Sequence, residues 1–575
     1  MAHDLLIRGG LLVDGSGAPP VRADVAVDGD TISAVGDLSG AEATRVIDAE
    51  GLVVTPGFVD IHTHYDGQAT WDPEVSPSGW HGVTTIVMGN CGVGFAPASA
   101  ERRDWLIQLM EGVEDIPGSA LEEGMTWNWE SFPEYLDELE RLPRVMDVAA
   151  QIPHGALRAY VMGERGAANT EATADDIAEM SKLTEEALVA GAVGFSTTRT
   201  LLHRAKDGEL AAGTTAHADE LIGIGEALGR AGTGVFEVAS DLFDLDGEFA
   251  WMTEVSRRSG RPVSFGCLQN DIQPEQWREY LARTDEANAR GATIIPQVAG
   301  RPACLLFGWG STIHPFVTHT AYREIADLPL PERVERLRTP EVREAILSEK
   351  IDRDGFIGMV LTGFDKLFPL GDPPDYEPAP EASVGAIAAR EGRSPEEVAY
   401  DRMLQRDGTE LLYFPVLGYS YGDFDAIGEM LRRPGTVLGL GDGGAHCGVL
   451  CDASLPTYML SHWVRDRSRG DRLALEEAVA LQTRRTAELY GFLDRGLVAE
   501  GYRADLNVID LESLSIAPPE MVFDLPAGGR RLIQRASGYA ATICAGVPVR
   551  IDDQPTGETP GRLIRGSRQD PTGQG

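Results

Sequence analysis

The chain has 575 residues, with 90 acidic against 50 basic side chains and a formal net charge of −40. That excess of acid argues against nucleic acid or an anionic membrane as a partner and for solubility; a small-molecule substrate is the expected partner, with a homo-oligomer left open. No run of about 18 apolar residues is present, so no membrane span is expected.

The chain starts "MAHDLLIRGGLLVDG", without a positive segment followed by a long apolar one, so no secretory signal is expected. Six cysteines, at 91, 267, 304, 447, 451 and 544, are too sparse for a disulfide framework. A reducing, cytoplasmic setting fits them. The first fifty residues read as short strands and turns, with a hairpin signal at Asp28-Gly29-Asp30. "ADLNVIDLESL" and "GYAATICAGVPVRI" return to that style near the end. Residues 1–56 and 490–575 therefore predict one small β-sandwich domain built from both termini. From about Asp552 the chain is rich in Pro and Gly and reads as an extended tail.

Between them, residues 57–489 alternate apolar strands with helical stretches. "TADDIAEMSKLTEEALVAG" is helical and ends at Gly191, and "AVGFSTTR" follows as a strand. "HADELIGIGEALGRAG" then "TGVFEVAS" repeats the unit, as does "WREYLARTDEANARG" then "ATIIPQVAG". About eight such units predict an α/β fold, a (β/α)8 TIM barrel. The strand ends fall at His62, Cys91, His154, Ser196, Glu237, Gln269, Gln297 and Asp442. A helical insertion around 301–434 exceeds ordinary loop length and is expected to cover the barrel mouth.

A barrel carries its chemistry at the C-terminal ends of its strands. There "GFVDIHTHYDGQ" places His62 and His64 two residues apart, so both imidazoles leave one face of a strand. Two imidazoles make half of a metal site, because a metal takes roughly four ligands.

"TPGFVDIHTHYD" after a β-rich start, and "TRRTAELYGFLDRGLVAEGYRADLNVID" near the end, resemble the amidohydrolase superfamily. "GVTTIVMGNCGVGFAP", "IPHGALR" and "GAVGFSTT" look like the N-acyl-D-amino-acid deacylase (D-aminoacylase) family. The resemblance covers nearly the whole chain. It implies a metal-dependent barrel with a flanking β-sandwich that hydrolyses amide bonds. It also implies zinc ligation by His62, His64, Cys91 and Asp442. The chain departs from the family where the fifth and sixth strands carry histidines. Ala239 stands at the first position, Phe265 and Gly266 at the next pair, and Cys267 where the family has a lysine. The tyrosine-bearing segment that follows is replaced by "IIPQVAGRP". One zinc ion is therefore expected, with two as the alternative.

The residues support that set on their own chemistry. Cys91 begins a loop at a strand end, where a thiolate is a strong zinc ligand. The chain's four lysines, at 182, 206, 350 and 366, all lie outside the barrel strands, which removes a carboxylated-lysine bridge. Asp442 follows the last strand, where a carboxylate can take a proton from water and pass it to a leaving nitrogen. It is the expected catalytic residue. His154 and Arg158, Arg301, and His446 are candidates for holding substrate, a guanidinium being suited to a carboxylate. Glu237 and Gln269 are lesser ligand candidates, and His203 and His217 read as surface positions. Two other functions stand beside amide hydrolysis. One is a hydrolase of cyclic amides of the hydantoinase type. The other is a metal-poor binding protein.

Overall fold

The computed structural model describes residues 2–350 and 355–573. Strand Phe58–Asp60 pairs in parallel with Val83–Met88, and that strand with Asp147–Ala150. The third stave is interrupted at Gln151 and continues as Ile152–Pro153. From there the parallel order runs through Gly194–Arg199, Val235–Ser240, Val263–Gly266, Ile294–Val298 and Val437–Leu438. A parallel bridge between Thr63 and Gly443 joins the last stave to the first. His64 N–H donates to Gly443 O at 2.8 Å, across the same seam. The molecule is thus a closed (β/α)8 barrel with a small β domain. Strand Val83–Met88 is buried at every position, as expected where helices cover the outer face and side chains fill the inside.

The helices start and stop where local chemistry dictates. Helix Ala174–Ala190 opens on Thr173, whose hydroxyl accepts from Asp176 N–H while the Asp176 carboxylate accepts from Thr173 N–H. It ends at Gly191, which takes φ +121° where a side chain would be strained. The strands Val21–Asp28 and Thr31–Gly36 form the hairpin read from the sequence, turning at Gly29 with φ +60°.

One sheet takes strands from both ends of the chain. His3–Leu12 lies between Val21–Asp28 and Val53–Pro56, and Leu506–Ile509 joins Val53–Pro56 to Tyr539–Cys544. The residues between leave that sheet. Glu520–Leu525 and Gly529–Ile533 form a separate hairpin that reaches the barrel mouth, where Leu532 N–H donates to Cys447 O. The extended tail is pinned rather than free, because it pairs along the barrel through Val148 with Leu563 and Arg144 with Pro560.

The insertion is not purely helical. It contains an antiparallel sheet of Ala303–Phe307, Leu412–Leu417 and Phe368–Pro369. This sheet and its helices bury their own core around Trp309, Phe316, Tyr400 and Phe414. Sequence periodicity missed it because its strands are short and lie far apart in the chain. Helix Asp425–Arg432, inside the predicted limits, packs on strand Ile294–Val298 and belongs to the barrel.

Candidate metal centre

His62 and His64 emerge where strand Phe58–Asp60 ends. His62 Nε2 lies 3.3 Å from Cys91 Sγ and 3.3 Å from Asp442 Oδ1. His64 Nε2 lies 3.7 Å from the same aspartate oxygen. Donor atoms of His62, His64 and Cys91 all fall within 4.8 Å of one another, and all three side chains are buried. The structure thus brings Cys91 and Asp442 to the His62–His64 pair from far along the chain.

The backbone at the mouth is strained where these side chains are aimed. Cys91, Leu440, Asp442 and His446 adopt φ of +56°, +59°, +43° and +49°. Non-glycine residues in this region each cost about 1–3 kcal/mol. Hydrogen bonds hold the conformation of the Cys91 loop. Cys91 N–H donates to Glu237 Oε2 at 2.9 Å, and Gly92 N–H to Ser196 Oγ at 3.0 Å. Gly92 cannot be replaced freely, since a Cβ there would stand 2.9 Å from Thr198 N.

The imidazoles are oriented from behind. Gln297 donates its amide N–H to Ser264 Oγ at 3.1 Å, which turns its oxygen toward His62. That oxygen accepts from His62 Nδ1 at 3.1 Å, so the Nε2 lone pair faces Cys91 and Asp442. Behind His64 stands Glu114, with Oε1 3.3 Å from His64 Nδ1 and Oε2 3.4 Å from His446 Nε2.

The electrostatics call for a cation. Burial pushes Asp60, Asp66 and Glu237 up to about 7. For Glu237 the charge of His62 and the Cys91 N–H only partly offset that burial. Burial, followed by the charges of Glu237, Glu114 and Asp442, pushes the Cys91 thiol up. Burial would also raise Asp442, but the adjacent imidazoles of His64 and His62 outweigh it and hold the carboxyl below its ordinary range. Burial depresses His64 to about 4, which leaves it a neutral, lone-pair-bearing ligand. Asp60 Oδ2, His64 Nδ1 and both Glu114 carboxylate oxygens are buried without a hydrogen-bond partner. A concave set of acid, thiol and neutral imidazole with unmatched polar atoms is what a divalent cation would balance. The donors present fit such a metal.

The other nominated residues sort differently. His154 is buried, with Nδ1 2.8 Å from Thr197 Oγ1 and Nε2 2.9 Å from Glu220 Oε1. Arg158 pairs with the same Glu220 and donates to Thr170 O. Arg301 donates to Asp452 Oδ1 and stacks 4.2 Å over the Tyr376 ring. Burial has given each of these three a partner inside the protein, with Arg301 Nη1 left without a hydrogen-bond partner among the described residues. Gln269 is likewise engaged, accepting from Ser420 N–H and donating to Pro274 O. Glu237 lies within 4.0 Å of His62 Nδ1 but serves mainly the Cys91 loop. His446 stays at the mouth, facing Glu114. His203 is half-buried, not a surface residue. Thr198 holds its Nδ1 at 2.9 Å, and burial, with the nearby charges of His446 and His64, depresses it to about 3. His217 is exposed, as expected.

Glu114 was not visible in the sequence. It ends helix Arg103–Glu114, whose buried stripe runs Leu106, Leu109, Met110, Val113, Glu114. The heptad-like spacing was the available signal, because it carries an acid onto the apolar face.

The fold, and the arrangement at its mouth, are those of a metal-dependent barrel hydrolase. The profile of the amidohydrolase family matches residues 45–550, and the chain belongs to that family. Among curated relatives, D-aminoacylase of Alcaligenes xylosoxydans xylosoxydans is 29% identical over 563 residues, covering 98% of this chain and 97% of its own. N-acyl-D-aspartate deacylase of the same organism is 28% identical, covering 98% and 95%. A solved D-aminoacylase structure superposes with a TM-score of 0.66 at 26% identity, covering 98% of this chain and 100% of the other. It is described as having a binuclear metal centre with one-metal activation and second-metal attenuation. The chain is a metal-dependent hydrolase of non-peptide C–N bonds. No helix among the described residues is long and apolar enough to cross a membrane.

Proposed function

We propose that the chain is a zinc-dependent deacylase of small N-acylated, D-amino-acid-like substrates, working with one metal ion. The convergence of His62, His64 and Cys91 within 4.8 Å, with Asp442 beside them, carries the reading. His62, His64, Cys91 and Asp442 would hold the ion. The relatives' deacylase activities support the substrate class. Ala239, Phe265 and Gly266 supply no ligand where the family has histidines, which supports one ion over two.

When bound, a zinc ion supplies Lewis-acid polarisation of the scissile carbonyl and lowers the pKa of an attacking water toward about 7. Asp442 does the proton work. Its carboxylate can accept a proton as the water oxygen bonds to the carbonyl carbon. It then delivers that proton to the amide nitrogen as the C–N bond breaks. One water is consumed, and a carboxylic acid and an amine are released. Gln297 keeps His62 in the tautomer the ion needs. His446 is partly exposed at the mouth with Nε2 facing Glu114, which would leave Nδ1 for a substrate oxygen.

Metal analysis of the purified chain tests this, with N-acyl-D-amino acids and cyclic imides assayed side by side. About one zinc per chain, with turnover of the acyl-D-amino acids, is expected. A chain without bound metal, or turnover of the imides alone, would sink it.

A further inference from the structure

Glu114 is an odd residue to bury. It is 1% exposed. It sits at the C-terminal end of its helix, where the macrodipole disfavours an anion. Neither oxygen has an aligned hydrogen bond, and His64 Nδ1 is equally unpartnered. Yet its placement is over-determined. Its carbonyl accepts from His446 N–H. The next residue, Asp115, turns left-handed at φ +51° and accepts from Gly448 N–H at 3.0 Å and Thr312 Oγ1 at 2.8 Å. The insertion and the loop after the last strand thus both anchor the helix end that presents Glu114.

We propose that Glu114 is a positioning residue, whose two oxygens receive Nδ1–H of His64 and Nε2–H of His446. It thereby sets the His64 ring with Nε2 toward the metal and ties the mouth histidine to the same carboxylate. The distances of 3.3 and 3.4 Å require only small side-chain rotations to become hydrogen bonds. His64 then has from Glu114 what His62 has from Gln297. Carboxylates placed behind ligating histidines typically contribute about 10–100-fold to metal affinity or activity. The inference rests on the metal reading above.

The test is zinc affinity of the full chain, measured by competition with a chelator, in E114M, E114D and E114Q. Met fills the space without an acceptor, Asp keeps the charge but loses reach, and Gln keeps reach and an acceptor without charge. The expected result is zinc binding about 10–100-fold weaker in E114M and E114D. The E114Q variant is expected to recover affinity to within a few-fold of wild type. Wild-type affinity in E114M or E114D overturns the proposal. A wild-type chain that binds no zinc overturns the metal reading instead, which separates the two failures.

Discussion

The two ends of the barrel treat buried charge in opposite ways. At the mouth, Asp60, Asp66, Glu114 and Glu237 are buried and raised, and no guanidinium among the described residues neutralises them. At the foot, each acid faces a guanidinium, although burial still raises Asp505. Asp147 opens the third strand and accepts from Arg495 at 2.8 Å and from Arg503 at 2.9 Å. Asp505 lies 3.4 Å from Arg503 Nε and 3.6 Å from Arg495 Nη1. Arg562 N–H from the tail closes on the same Asp147. The foot is a clasp between the barrel and the segments that follow it. Unmatched buried charge marks where a ligand belongs, and matched buried charge marks where the fold is held.

Removing the mouth's ligands tests that contrast most severely. The H62A/H64A double variant is expected to lose its zinc and roughly a thousandfold or more in kcat/KM. Its Tm without added metal should fall only modestly, by the loss of two buried side chains, the His62 hydrogen bond to Gln297 and the imidazole contacts to Asp442. Calorimetry on chelator-treated samples reads this, and a large drop in Tm would mean that the mouth is structural after all. With zinc at about a thousand times its Kd, the wild type should gain about 4 kcal/mol that the double variant does not.

Asp442→Asn asks a narrower question, since the amide keeps the shape but cannot accept the proton. A loss of roughly 10²–10⁴-fold in kcat is expected at saturating zinc, with weaker zinc binding because Asp442 also helps hold the ion. Unchanged kcat would remove Asp442 from the proton transfer.

These two variants use residues that could be read from the sequence, and there is a reason for that. His62 and His64 follow directly on one short strand, so period-two spacing was enough. Cys91 and Asp442 stand at strand ends that a repeated β-α pattern locates. What orients them was not legible. Gln297 looked like any strand-end amide until Ser264, on the neighbouring strand, fixed which way it turns. Glu114 came from a helix with no chemical motif. The internal partners of other candidates were not legible either. His154, Arg158 and Arg301 are the right residue types at the mouth of a barrel, but Glu220 and Asp452, distant in sequence, had already taken them. Sequence spacing can propose a free charge; only the packed structure shows whether a partner is waiting.

At the foot, Asp147→Ala leaves Arg495 and Arg503 with one acid fewer in a buried site. Breaking such a pair typically costs about 3–5 kcal/mol. Urea denaturation should show that loss, while kcat per folded molecule and zinc content stay at wild type. A fall in kcat without a fall in stability would erase the distinction between the two ends.

The smallest effect is expected at His154, Glu220 and Arg158, which lie near the mouth but follow the rule of the foot. Burial would raise Glu220, but His154 and then Arg158 outweigh it, so its folded-state pKa is depressed. A depressed carboxyl stabilises the fold above its unfolded value, about 4.3, and that stability is lost as pH falls through the folded-state value. Glu220→Gln should therefore lower Tm near neutral pH and flatten its decline below about pH 4.3, where the wild type is already losing the interaction. Tm measured from about pH 7 to 3 checks both. An acid limb as steep in E220Q as in the wild type would show that Glu220 does not titrate with folding, and would place it with the mouth's unmatched acids.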